Sequence, residues 1–182
     1  MQTWGVKLAG LHLRQRDGVS CGPTVAVVAG ALLDPRVQYR LSSTEWFASE
    51  QARVHAEVNR IWPRRLGTTP SGLERALNAH AAARGVRYRW RPFRGRRDKL
   101  VDVVDAVEAG WPVAMLIGRF IPRHWVLIVG VAGDDFECYE PSSGEVRSVD
   151  LNDVRRSRLI GLGYPRPFAF VLPSWATRSP TS

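Results

Sequence analysis

The apolar pattern changes period halfway along the chain. In the first half, apolar positions recur at helical spacing. "GPTVAVVAGALL" (22–33) is small and apolar throughout, with Pro23 suited to a first helical turn and "DP" at 34–35 to stop it. This predicts a buried helix from about Gly22 to Leu33. "SSTEWFASEQARVHAEVNRIW" (42–62) opens on a serine/threonine cap and predicts a second helix. "TPSGLERALNAHAAARG" (69–85) predicts a third, carrying Leu73, Ala76, Leu77 and His80 on one face and ending at Gly85. After the alternating "VRYRW" (86–90), "DKLVDVVDAVEAG" (98–110) gives one more amphipathic helix. The second half reads as strands between glycine turns: 111–118, 124–133, 135–141, 145–150 and "FAFVL" at 168–172. Helices followed by an antiparallel sheet make an α+β arrangement.

With 182 residues and 45% hydrophobic content, the chain suits one packed domain, expected over 1–173, with a frayed tail at 174–182. No apolar run approaches the roughly 20 residues that span a bilayer. The N-terminal stretch lacks the apolar core of a signal peptide. A cytoplasmic protein, or one exported without a classical signal peptide, is therefore expected. Lys plus Arg is 26 against 17 for Asp plus Glu, a net +9, and all but Lys7 and Lys99 are arginine. The clusters "RPFRGRR" (91–97) and "RRSR" (155–158) suit an acidic partner, but there is no zinc-finger, basic-zipper or ribonucleoprotein motif. Nucleic acid is not the expected partner. Neither cysteine has a second cysteine or a histidine near it in sequence, so neither a disulfide framework nor a zinc site is expected, and no cofactor is called for.

Candidate chemistry changes this picture. Cys21 stands at the junction of the polar "RQRDGVS" and the apolar helix. The nucleophilic form of cysteine is the thiolate, which a helix N-terminus or a nearby imidazolium favours. Gly22 behind it leaves room for a substrate. Of four histidines, His55 and His80 lie in amphipathic helices and read as structural, and His12 sits in an extended stretch. His124 heads the strand "HWVLIVGV", where a strand edge holds an imidazole at the rim of a sheet. A catalytic imidazole needs an acceptor for its second nitrogen. One hairpin later, in "CYEPSSGE", Glu140 returns beside His124, whereas Asp134 and Asp135 fall at the far turn. For a developing oxyanion, the Cys21 backbone N–H is one donor and the upstream Gln15 amide offers a second. Trp125 is a candidate wall of the cleft. Cys138, on the face of Glu140, reads as a packing residue.

The glutamine before "CGPT", the small-residue helix, the "WPV" strand, "HWVLIVG" and "YEPSSG" together resemble the papain-like cysteine peptidases of bacteria, nearest to the double-glycine-leader (bacteriocin-processing) group. The resemblance covers roughly residues 10 to 150. It implies a papain-like fold with Cys21 as nucleophile, His124 as base, Glu140 orienting the imidazole and Gln15 completing the oxyanion hole. The family usually has aspartate where this chain has Glu140, followed by Pro141. No fused transporter is expected, so the leader-processing role is not expected to carry over. The expected function is a cysteine peptidase acting on a peptide or protein. The same machinery also serves a deamidase, a transglutaminase or a peptidoglycan amidase delivered as an effector. From another class, a non-catalytic basic module would present Arg91, Arg94, Arg96 and Arg97 with Arg155, Arg156 and Arg158.

Overall fold

In a computed structural model of the chain, residues 8, 10–11, 13–18, 20–58 and 68–175 are described. His12, the end of the second expected helix at 59–62 and the tail from residue 176 lie outside the described residues. The longer helices are α1 (Cys21–Leu33), α2 (Thr44–Val58), α3 (Pro70–Ala81) and α4 (Val101–Glu108). The strands are β1 (Tyr88–Pro92), β2 (Val113–Gly118), β3 (Pro122–Ala132), β4 (Asp135–Glu140), β5 (Glu145–Asp150) and β6 (Arg166–Pro173). They form a six-stranded sheet in the order β1-β6-β2-β3-β4-β5, antiparallel at each pairing. The expected α+β arrangement, helices first and antiparallel sheet second, is the one found.

Apolar residues fill both faces of the sheet. On one face α1, with parts of α2 and α3, packs against Leu127, Val129 and Tyr139. On the other, α4 and the segment from Val154 to Leu162 cover Val126, Ile128, Phe136 and Cys138. This two-sided burial explains why "VAMLIG" and "HWVLIVG" are continuous apolar runs, since a strand covered on both faces has no solvent side to carry polar residues. The outer strands β1 and β5 carry exposed charged positions instead, as sheet edges do.

α1 is buried over all thirteen residues. A helix made of glycine, alanine and valine on every side has no polar face to turn to water. Close approach is built into it: a β-carbon at Gly30 would lie 2.7 Å from the His80 ring of α3. Capping follows the sequence grammar. Ser43 accepts the Trp46 amide at 3.2 Å before α2, and Thr69 accepts that of Gly72 at 3.1 Å before α3. Gly85 stops the third segment in the left-handed region, with φ of 67°.

One part of the basic stretch belongs to the interior. Arg91 is buried, its guanidinium bonded to Asp98 at 2.7 Å and Asp102 at 2.5 Å and lying 4.9 Å from the Phe170 ring centroid. Burial opposes its charge, but the two carboxylates outweigh that and raise its pKa. Arg91 therefore does not join the surface cluster expected at 91–97, because its charge is already neutralised inside the fold.

Candidate active site

α1 delivers Cys21 as its first residue. No side chain caps the helix: the Ser20 hydroxyl turns back to the Asp17 carbonyl at 3.2 Å, leaving the first turn of α1 uncovered. The partial positive charge of those N–H groups is directed at the thiol end of the helix.

β3 and β4 deliver the other two groups. Leu127 pairs with Tyr139 and Ile128 with Cys138, so the hairpin brings Glu140 to the strand end where His124 begins its apolar run. His124 Nε2 lies 2.7 Å from Glu140 Oε1. Glu140 is fixed in turn by the amides of Ser142 and Ser143, which donate to Oε1 at 2.8 Å and Oε2 at 2.9 Å. The Tyr164 ring stacks on the imidazole at 5.7 Å between centroids and 29° between planes. Cys21, His124 and Glu140 are 3%, 6% and 5% exposed, so bulk water screens their charges poorly.

Electrostatics follow from these contacts. Burial works against a charged imidazole, but the neighbouring Cys21 and the bonded Glu140 outweigh it, and the His124 pKa is pushed up to about 9. Burial also works against the Glu140 carboxylate. The His124 bond and the two serine amides prevail and hold it well below the usual carboxylate range. With Nε2 on Glu140, the remaining ring nitrogen is the one left for the thiol. An imidazole anchored in this way can take a proton from a thiol and return it to a leaving group.

Gln15 comes to this corner on a strap stitched to the hairpin. Its amide donates to the Pro141 carbonyl at 2.8 Å, Arg14 Nε donates to the Ser143 carbonyl at 2.9 Å, and the Tyr139 hydroxyl donates to the Leu13 carbonyl at 2.5 Å. The Gln15 carboxamide bonds to no described residue, and its Oε1 is buried and unpaired.

Gln51 is a member of this assembly that sequence reasoning missed. Its Nε2 donates to the Arg14 carbonyl at 3.0 Å, and its Oε1 accepts the Thr24 hydroxyl at 3.1 Å. It thus ties the strap carrying Gln15 to the first turn of α1. A polar residue buried to 1% exposure inside an amphipathic helix is the trace it leaves, but its partners lie far away in the sequence.

The structure places the two expected substrate contacts inside the wall of the site. The open face of Gly22 is filled by the Thr68 side chain, which a β-carbon at residue 22 would overlap. Trp125 is buried, and its indole N–H donates to the Thr68 carbonyl at 2.8 Å. Both brace the segment that enters α3. Cys138 lies fully buried in the core opposite α1, where burial pushes its thiol up to about 12. A cleft of about 370 Å³ opens beside Ser20, lined by Arg16, Asp17, Gln51 and His55 among others. Among the described residues there is no His, Cys, Asp and Glu grouping able to hold a metal ion, and no helix long and apolar enough to cross a membrane.

No family model and no curated protein matches the chain. Among solved structures it is similar to the peptidase domain of Streptococcus ComA, a bifunctional ABC transporter involved in a quorum sensing pathway. The two are 16% identical, covering 89% of this chain and 97% of that one, with a TM-score of 0.47. It is also similar to a double glycine motif protease from an AMS/PCAT transporter, solved in complex with the leader peptide, at 16% identity over 88% and 87% of the two chains and a TM-score of 0.46.

Proposed function

We propose that this chain is a cysteine peptidase that cleaves amide bonds through Cys21, His124 and Glu140. The observation that carries the reading is a single imidazole held by a buried, doubly anchored carboxylate, with the thiol at the start of α1 close enough to favour its charged form.

The thiol proton passes to His124, and the Cys21 sulfur attacks the carbonyl carbon of the substrate. The carbonyl oxygen gains the electron pair and is held by the Cys21 backbone N–H and the Gln15 side-chain amide. Collapse of this intermediate breaks the C–N bond, with the imidazolium giving its proton to the departing amine. Water, deprotonated by the same imidazole, then attacks the thioester; its hydroxyl stays on the acyl carbon and the proton returns to the thiolate. Glu140 keeps the imidazole in the tautomer and orientation needed in both halves.

The test begins with alkylation of Cys21 by iodoacetamide across pH, read by mass spectrometry, in the parent chain and in His124→Ala. The proposal expects rapid labelling at neutral pH that His124→Ala abolishes. Labelling indifferent to His124 would sink it and favour a non-catalytic scaffold. A screen on peptides then separates the chemistries: new amino termini support peptidase action, whereas ammonia release without chain cleavage identifies a deamidase.

A further inference from the structure

A second concave site lies away from the thiol. The turn at Gly95–Arg97 and the segment 151–158, far apart in sequence, enclose a cavity of about 550 Å³ lined by Arg96, Asn152, Arg155, Arg156 and Arg158. Within this group, Arg158 pairs with Asp153 at 3.4 Å, and both side chains are about half exposed. Arg96, Arg155 and Arg156 have no carboxylate within ion-pair distance among the described residues. Nε of Arg155 is buried and unpaired.

We propose that this cavity binds a compact anion carrying two or more phosphate groups. The charge balance points that way. Where the fold uses an arginine for structure, as at Arg91, it supplies two aspartates. Here it gathers four guanidinium groups around one hollow and supplies one partly exposed carboxylate. Like charges held at a concave surface raise the local potential and attract an anion. Planar guanidinium forks match phosphate oxygens in pairs, and the Asn152 amide can add a neutral donor. A single carboxylate would leave most of these forks idle, so more than one phosphate is called for. A nucleic-acid strand needs a basic groove that tracks its backbone, whereas these arginines converge on one hollow. The site is independent of the Cys21 chemistry.

Titration calorimetry of the full chain with inorganic tripolyphosphate tests this directly. The expected result is saturable one-to-one binding that weakens as salt rises. It should fall at least tenfold in Arg155→Gln/Arg156→Gln and in Arg96→Gln, and hold in Arg40→Gln, a surface arginine outside the cavity. Arg96 comes from a separate exposed turn, so its variant keeps the test valid if the double variant folds poorly. Tighter binding of ATP than of tripolyphosphate would assign the site to a nucleotide, and equal binding to the phosphates alone; either supports the proposal. Three results would overturn it: no saturable binding, an equal loss in Arg40→Gln, or length-dependent binding of a single-stranded oligonucleotide that tripolyphosphate does not displace.

Discussion

Glu140 holds His124 Nε2 at 2.7 Å with a carboxylate whose two oxygens also take the amides of Ser142 and Ser143. The "EPSSG" turn therefore acts as a socket for the glutamate, and the glutamate in turn fixes the ring. The longer side chain, where the resembled family usually carries aspartate, is accommodated because the turn folds back onto both of its oxygens.

This socket should be visible in the titration of His124. Glu140→Gln keeps a hydrogen-bonding group but removes the charge, so the imidazole pKa should fall from about 9 towards its ordinary value near 6.5. NMR titration of the ring reads this directly, and kcat should drop by about 10²- to 10⁴-fold. Stability carries a sign as well. Because the folded state binds the His124 proton more tightly than the unfolded chain, the stabilisation is complete below about pH 6.5 and is lost as pH rises through about 9. Glu140, with its pKa lowered, contributes above about pH 4.5 and loses that contribution as pH falls. Urea denaturation from pH 4 to 10 should show stability declining on both sides of a plateau near pH 5 to 6.5, and the alkaline decline should shrink in His124→Ala.

Gln51 should separate nucleophile activation from oxyanion support. Gln51→Glu retains the shape but cannot donate to the Arg14 carbonyl, so the strap bearing Gln15 loosens. Amide hydrolysis should fall by about 10²- to 10³-fold in kcat with KM nearly constant, the cost of losing one oxyanion donor. Alkylation of Cys21 needs only the thiol and the imidazole and should proceed at the parent rate. A parallel loss of both activities would show that Gln51 supports α1 as a whole.

At Gly22 the expected effect is on stability. An added methyl would overlap the β-carbon and hydroxyl of Thr68, a short branched side chain with little freedom to withdraw. Gly22→Ala should cost about 1–3 kcal/mol in chemical denaturation. A variant of unchanged stability but raised KM would instead return residue 22 to the substrate surface.

Two arginines close in sequence should behave differently. Arg91→Ala strands two carboxylates at the edge of the core and should destabilise the chain by about 3–5 kcal/mol. The exposed Arg94 should be replaceable by alanine at a cost within about 0.5 kcal/mol. Denaturation midpoints of the two variants, measured side by side, check this contrast.

The parts of the structure legible in the sequence are those encoded by short-range pattern. The burial of α1 follows from its composition, and the return of Glu140 towards His124 follows from a strand, a turn and a strand. Period alone cannot show which side chains are consumed internally. Arg91 reads as surface until Asp98 and Asp102 are seen around it, and Gly22 reads as open until Thr68 is seen against it. The helical turn Leu151–Arg155 spans five residues, too few for a periodic signal. The bonds from Leu13, Arg14 and Gln15 to the β4–β5 hairpin join opposite ends of the chain, and no local pattern encodes them.

The strand order carries a consequence for the newborn chain. β6 lies between β1 and β2, so the sheet is completed from its middle by the strand made last among the six. On the ribosome, Cys21 and its helix emerge early, while His124, Glu140 and the turn that sockets them emerge about a hundred residues later. Throughout that interval the chain lacks His124, the base proposed for Cys21. The proposed pair therefore assembles only once the second half of the polypeptide has cleared the exit tunnel.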